Sequence, residues 1–346
     1  MSSASGNQER GLVVAVVGAT GLVGRTMVRI LEERNFPVAE LRPLAARGAG
    51  RSVRFRDTEI PVAEATPAAF EGVDVALFSA GAEVSLQLAP EAARRGCTVV
   101  DNSSAWRMDP TVPLVVSQVN PEALDGHRGI IANPNCSTMQ LAPLLHALQQ
   151  AAGLKRVVVA TYQAVSGAGG EAVDDLRAQR RAVVAGETPA STTVRHAVVE
   201  SPIPAIDLFL PDGSTKEETK VVNESRKILG LPELRISATA VRVPVEVGHS
   251  EAVHVELERP FTPDDARSVF AQTTGVFVQD DPASHTYPLA ADAAGSDGIY
   301  VGRVRVDQSV EHGLAFWVVS DNVRKGAATN AVEIAELLIA RRLLHE

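Results

Sequence analysis

The chain has 346 residues, 45% of them apolar and 22% charged, with a formal net charge of −9. That length exceeds what one hydrophobic core usually accommodates, so two domains are expected, and the acidic balance excludes the broad basic surface that nucleic-acid binding requires. No apolar run reaches the roughly 18 residues of a membrane span, and the polar start Met1-Ser2-Ser3-Ala4 lacks the basic-then-apolar pattern of a secretory signal.

The two cysteines, Cys97 and Cys136, are too few for a disulfide framework or a cysteine-built zinc site. No metal is expected. A cytoplasmic protein with one reactive thiol fits this usage.

Leu12-Val13-Val14-Ala15-Val16-Val17 is a continuous apolar run, the pattern of a strand buried on both faces of a parallel sheet. A glycine-rich turn follows, then a helical pattern through Met27, Ile30 and Leu31. Strands are predicted over residues 41–45, 74–79, 97–100 and 130–132, with a helix over 83–95. This alternation predicts a doubly wound α/β domain. After Cys136 the character changes. Helices are predicted over 137–150, 170–184 and near 262–272, and strands over 157–164, 235–243, 250–258, 299–306 and 314–320. Successive long strands predict an α+β domain with a mixed sheet. Residues 325–343 predict an amphipathic helix.

Gly18-Ala19-Thr20-Gly21-Leu22-Val23-Gly24 is a G-x-x-G-x-x-G variant between a strand and a helix. The glycines permit a tight turn and close approach of a pyrophosphate, and the helix start offers free N–H groups. The region after the second strand, Leu44-Ala45-Ala46-Arg47-Gly48, carries no acid that would repel a 2′-phosphate, and Arg47 would pair with one. NADP is therefore the expected dinucleotide.

Cys136 stands just after a strand, in the first turn of a predicted helix, where the dipole and backbone N–H groups lower a thiol pKa. The position alone leaves both a catalytic thiol and an inert cysteine open. Cys97 opens a buried strand and reads as core packing.

Together these segments resemble the aspartate-semialdehyde dehydrogenase family. The resemblance rests on Gly18 to Gly24, Asp101-Asn102-Ser103-Ser104-Ala105-Trp106-Arg107-Met108, Asn133-Pro134-Asn135-Cys136-Ser137-Thr138 and Thr161-Tyr162-Gln163-Ala164-Val165-Ser166-Gly167-Ala168-Gly169. It continues through Lys216-Glu217-Glu218-Thr219-Lys220, Arg242-Val243-Pro244 with His249, and Val318-Val319-Ser320-Asp321-Asn322.

The resemblance implies a role for each site residue. Cys136 forms the acyl-thioester, His249 is the acid/base and Gln163 orients the acyl group. Arg242 pairs with the substrate α-carboxylate and Glu217 with its α-ammonium. Arg107, Asn135 and Lys220 hold phosphate. Gly18, Thr20, Gly21, Leu22, Val23, Gly24, Arg47 and Gly48 serve the dinucleotide, with Ser166, Gly167 and Asn322 at its nicotinamide end. By themselves, Ser214-x-x-Glu217 also fits a capping box and Glu217–Lys220 a surface pair.

The implied activity is NADPH-dependent reductive dephosphorylation of β-aspartyl phosphate to aspartate semialdehyde, in biosynthesis of the aspartate-family amino acids (lysine, threonine, methionine, isoleucine and diaminopimelate). A homodimer is implied. So are a discontinuous NADP-binding domain, residues 1–134 and 323–346, and a catalytic and dimerisation domain, residues 135–322. The rival readings are a related acyl-phosphate or acyl-CoA reductase, which the Glu217 and Arg242 pair disfavours, and a non-catalytic paralogue acting as a binding protein.

Overall fold

The computed structural model describes residues 11–46 and 50–344. The first sheet begins with β1 (Leu12–Val17), which leads through the glycine turn into α1 (Leu22–Glu33) and then β2 (Val38–Ala45). A hairpin of β3 (Ser52–Phe55) and β4 (Thr58–Pro61) and the short β5 (Ala63–Glu64) follow. Then come β6 (Val75–Phe78), α2 (Ala82–Arg94), β7 (Thr98–Asp101) and β8 (Ile130–Ala132). The strand order is β5-β2-β1-β6-β7-β8, and every pairing is parallel.

The apolar runs arise because both faces of this sheet are covered. Val14, Val16, Leu77 and Val100 pack with Met27, Ile30 and Leu31 of α1, whereas Ala15, Val17, Phe78 and Val99 face Leu88, Ala89 and Ala92 of α2. Complete burial of each large aliphatic side chain is worth roughly 1.5–3 kcal/mol. The chain turns to opposite sides of β1 when it forms β2 and β6. A crevice therefore opens at the carboxyl ends of β1 and β6, the usual ligand position in such sheets.

Helix α3 (Cys136–Ala152) carries the chain into the second sheet through Leu141, Leu144, Leu145 and Leu148. Next come β9 (Leu154–Gln163), α4 (Gly170–Val184), α5 (Lys216–Leu229), β10 (Arg235–Arg242), β11 (His249–Leu257) and α6 (Pro263–Gln272). The short β12 (Val276–Val278) and α7 (Ala290–Ala293) precede β13 (Ile299–Asp307) and β14 (Gly313–Ser320). The order is β10-β9-β11-β14-β13-β12. Two of its pairings are parallel, β10 with β9 and β12 with β13, and the rest antiparallel, so the sheet is mixed as expected.

The expected C-terminal helix is divided. Arg324–Thr329 forms a wide π turn, with Gly326 N–H donating to Asp321 O at 2.9 Å and Ala328 N–H to Val323 O at 3.1 Å; α8 (Asn330–Ala340) follows. Such a wide turn re-aims the backbone and often marks a functional site. Here it sets Gly326 against Cys136, where an added Cβ would lie 3.0 Å from the cysteine Cβ. Ala331, Ile334, Ala335 and Leu338 of α8 then enter the same core cluster as β1 and α1.

Candidate active site

The glycine turn after β1 is dictated by space. Gly18 has φ +86°, and a Cβ there would lie 2.4 Å from Ser79 O, at the end of β6. A Cβ on Gly24 would lie 2.1 Å from Gly18 O. Helix α1 has no side-chain cap, so its first N–H groups are free to meet an anion. A groove of about 570 Å³ runs past Thr20, Gly21, Leu22 and Val23 to Ser166 and Gly167, with Arg25 and Arg51 also on its wall. These residues fit a dinucleotide: the turn admits a phosphate close to backbone, and Arg25 and Arg51 can pair with its charge, with Glu171 and Asp174 on the same wall. Arg47 and Gly48 lie outside the described residues.

Val23, Ser79, Ser166 and Gly167 also belong to a second cavity of about 400 Å³, so groove and cavity share a wall. Arg107, Asn135, Cys136, Gln163, Glu217, Lys220, Arg242 and Asn322 all line this cavity. The sequence-predicted residues from both halves of the chain thus converge on one space. Asn322 is fixed beside Ser166, its Nδ2 donating to Ser166 Oγ at 2.9 Å while its Oδ1 accepts from Gly248 N–H at 2.9 Å.

Cys136 is the first residue of α3, and Asn135 caps the helix by accepting from Ser137 N–H at 2.9 Å. The expected low thiol pKa is corrected by the surroundings. Burial and the neighbouring Glu217 carboxylate push it up to about 12, against the pull of Arg107, Arg242 and the Ser137 N–H. One helix end does not outweigh desolvation. Cys97 is buried in the first core and its thiol is pushed up by burial, as its packing reading implied.

Glu217 is buried and accepts from Asn135 Nδ2 at 2.9 Å, Gln163 Nε2 at 3.1 Å and Lys220 Nζ at 3.1 Å. Burial opposes its charge, but Lys220 and the two amides hold its carboxyl below the ordinary range. The capping-box alternative is overturned. Thr215 and Glu218 form the box, so Glu217 is left to turn inward. Gln163 also donates to Ser137 Oγ at 2.9 Å, which ties the end of β9 to α3.

His249 opens β11 and is completely buried, set behind Gly167 and not on the cavity wall. Its Nδ1 accepts from Ala164 N–H at 3.0 Å, and its Nε2 has no hydrogen-bond partner. Arg242 ends β10, and its Nη1 donates to Ala164 O at 2.7 Å. The register places Arg242 beside Gln163 on the parallel strand.

Two participants escaped the sequence analysis. Asp207 lines the cavity and accepts from Lys220 Nζ at 2.8 Å; it stands in an irregular segment with no periodicity to mark it. Glu224 lies beneath the cavity, bonded to Arg107 and Asn135. Among the described residues no group of three or more histidine, cysteine or acidic side chains could hold a metal, and no helix is long and apolar enough to cross a membrane.

Comparison with known proteins agrees with this geometry. The family described as "Semialdehyde dehydrogenase, NAD binding domain" matches residues 13–127, and "Semialdehyde dehydrogenase, dimerisation domain" matches residues 141–325. The aspartate-semialdehyde dehydrogenase of Aquifex aeolicus is 50% identical over 339 residues, covering 96% of this chain and 100% of the relative. The crystal structure of aspartate semialdehyde dehydrogenase II from Vibrio cholerae, complexed with ASA, superposes with a TM-score of 0.93 at 44% identity, covering 96% of this chain and 99% of that one. The Candida albicans aspartate semialdehyde dehydrogenase with NADP superposes with a TM-score of 0.75 at 25% identity, covering 96% and 99%.

Proposed function

The chain belongs to the aspartate-semialdehyde dehydrogenase family, and from that premise we propose that it reduces β-aspartyl phosphate to aspartate semialdehyde through a thioester on Cys136. The convergence of Cys136, Gln163, Glu217, Arg242, Arg107 and Lys220 on one cavity carries this reading. An anion and a cation site flanking a thiol suit an amino acid whose side chain is the reacting group.

Arg242 takes the α-carboxylate and Glu217 the α-ammonium, which aims the β-carbonyl at Cys136. Arg107, with Lys220 and Asn135, holds the phosphate. The sulfur forms a bond to the carbonyl carbon, the C–O bond breaks, and phosphate leaves with its electron pair. Charge balances when the thiol proton departs on that phosphate. Gln163 holds the resulting acyl group by its amide. His249 is the acid/base of this reading; its Nε2, the ring atom left without a partner, lies against Gly167, which stands between it and the cavity. NADPH, bound on the glycine turn with Ser166, Gly167 and Asn322 at its nicotinamide end, supplies the hydride. The C–S bond of the reduced adduct then breaks and releases the aldehyde, and the sulfur takes up one proton from solvent to return to the thiol.

The same reading divides the chain into a cofactor domain, residues 1–134 and 323–346, and a catalytic domain, residues 135–322. The packing of α8 with β1 supports it. It also places the protein in the cytoplasm as a homodimer. The outer face of the second sheet, where Tyr162 and Trp317 lie with ring centroids 5.3 Å apart and Tyr162 is exposed, suits that contact.

The test is NADPH formation from aspartate semialdehyde, NADP and phosphate, with Cys136→Ala beside the wild type. Phosphate-dependent activity that the variant abolishes supports the reading. An inactive wild type that still binds NADP defeats it.

A further inference from the structure

Glu224 is not part of the cavity wall, yet it is tied to two residues that are. It is 1% exposed, two turns after Glu217 on α5. Its Oε1 accepts from Arg107 Nη1 at 3.0 Å and its Oε2 from Asn135 N–H at 2.6 Å. One carboxylate thus joins α5, the loop after β7, and the residue that precedes Cys136.

The remaining bonds of Arg107 define what this joint does. Its Nε donates to Asn133 O at 2.9 Å and its Nη2 to Asn102 O at 2.7 Å. With the Glu224 bond, each guanidinium nitrogen has spent one N–H. Of the five N–H groups, one on each terminal nitrogen is left, on a residue that lines the cavity. That pair suits two oxygens of a phosphate. Three turns along α5 from Glu217, Lys227 grips the backbone of the same loop, donating to Arg107 O at 2.8 Å, Asp109 O at 2.7 Å and Val112 O at 2.9 Å.

We propose that Glu224 is a positioning residue that fixes the Arg107 guanidinium and the start of the Cys136 helix as one unit, so that phosphate is held at a set place relative to the sulfur. This rests on the function proposed above. A purely structural role explains the arrangement poorly, because a buried ion pair is often no more stabilising than apolar residues of the same volume. Burial raises the Glu224 carboxyl above the ordinary range, and Arg107 and the Asn135 N–H are the groups that oppose that rise.

The test is steady-state kinetics in the phosphorylating direction, varying phosphate and aspartate semialdehyde separately. Glu224→Gln keeps the volume but cannot accept from both donors with both of its terminal atoms. Its KM for phosphate should rise about tenfold to a hundredfold, and its KM for aspartate semialdehyde by less than about twofold. Glu224→Asp, which keeps the charge and shortens the reach, should show the same split if the glutamine variant folds poorly. In an Arg107→Ala background, Glu224→Gln should raise the phosphate KM severalfold less than in the wild type, since its route through Arg107 is gone and only that through Asn135 remains. Phosphate protection of Cys136 against iodoacetamide reports the same affinity in a variant with little turnover. Equal changes in both KM values, an unchanged phosphate KM, or effects that multiply across the pair would overturn the proposal while the functional reading stands. A wild type without phosphate-dependent activity would remove both.

Discussion

The backbone N–H of Ala164 donates to Nδ1 of His249 at 3.0 Å, while the carbonyl of the same residue accepts from Arg242 Nη1 at 2.7 Å. One residue just past the end of β9 therefore orients both the proposed acid/base and the proposed carboxylate clamp. An amide N–H can only donate, so Nδ1 carries no proton and the neutral ring has its hydrogen on Nε2.

This fixes a prediction for pH. Burial, then the nearby Arg242, hold the His249 pKa well below the ordinary histidine range. The ring should stay neutral, and its imidazole nitrogen NMR signals should not move between about pH 6 and 9. Titration near 6.5 would show that the Ala164 contact does not hold in solution. The sign for stability follows. The folded pKa lies below the unfolded one, so below the unfolded value the unfolded chain binds a proton that the native ring refuses. His249 therefore costs stability on acidification and is neutral to it above that range.

Glu217 should restrain the thiol of the free enzyme. Its carboxylate follows burial as a cause of the raised Cys136 pKa, which stands at about 12. Glu217→Gln removes that charge and should accelerate alkylation of Cys136 by iodoacetamide about threefold at pH 8 for each pKa unit removed, the larger thiolate fraction being partly offset by its lower nucleophilicity. The same variant should lose affinity for substrate. Alkylation no faster than in the wild type would mean that Glu217 does not set the thiol.

Gly167 separates His249 from the cavity. A Cβ there would lie 3.0 Å from Arg242 Nη1 and 3.2 Å from His249 Nε2. Gly167→Ala should therefore reduce kcat/KM by about tenfold or more, with a thermal midpoint within a few degrees of the wild type. A variant with normal turnover would show that neither group needs its present place.

The first sheet was legible because burial on both faces leaves an uninterrupted apolar run, and Leu12–Val17 was placed to the residue. The hairpin Ser52–Phe55 and Thr58–Pro61 was missed. It is short, half exposed, and turns through Arg56 at φ 53° without the glycine or asparagine that usually marks such a turn. Most of the chemistry-bearing side chains were readable from motifs, but their electrostatics were not. The helix start at Cys136 suggested an acidic thiol, and only the packed surroundings show desolvation prevailing. Glu224 carries no motif of its own within Lys216–Leu229. Its signal was the stripe Glu217, Val221, Glu224 and Ile228, spaced as a buried helix face yet carrying two acids. That pattern becomes informative once the partners Arg107 and Asn135 are known.

Glu251 offers a test of how much strain the catalytic layer carries. It lies two residues after His249 on β11, fully buried, with neither carboxyl oxygen hydrogen-bonded. Burial pushes its pKa from 4.5 up to about 8. The folded value is the higher one, so the native state keeps a proton that the unfolded chain has released. Stability should therefore fall as pH rises from about 4.5 to 8, by up to about 1.4 kcal/mol per pH unit, and level off above. Glu251→Gln should abolish that slope, giving a higher thermal midpoint than the wild type at pH 8 and little difference near pH 4. If the two melting curves stay parallel across that range, Glu251 is already ionised or hydrated at neutral pH, and the layer beneath His249 is wetter than its burial indicates.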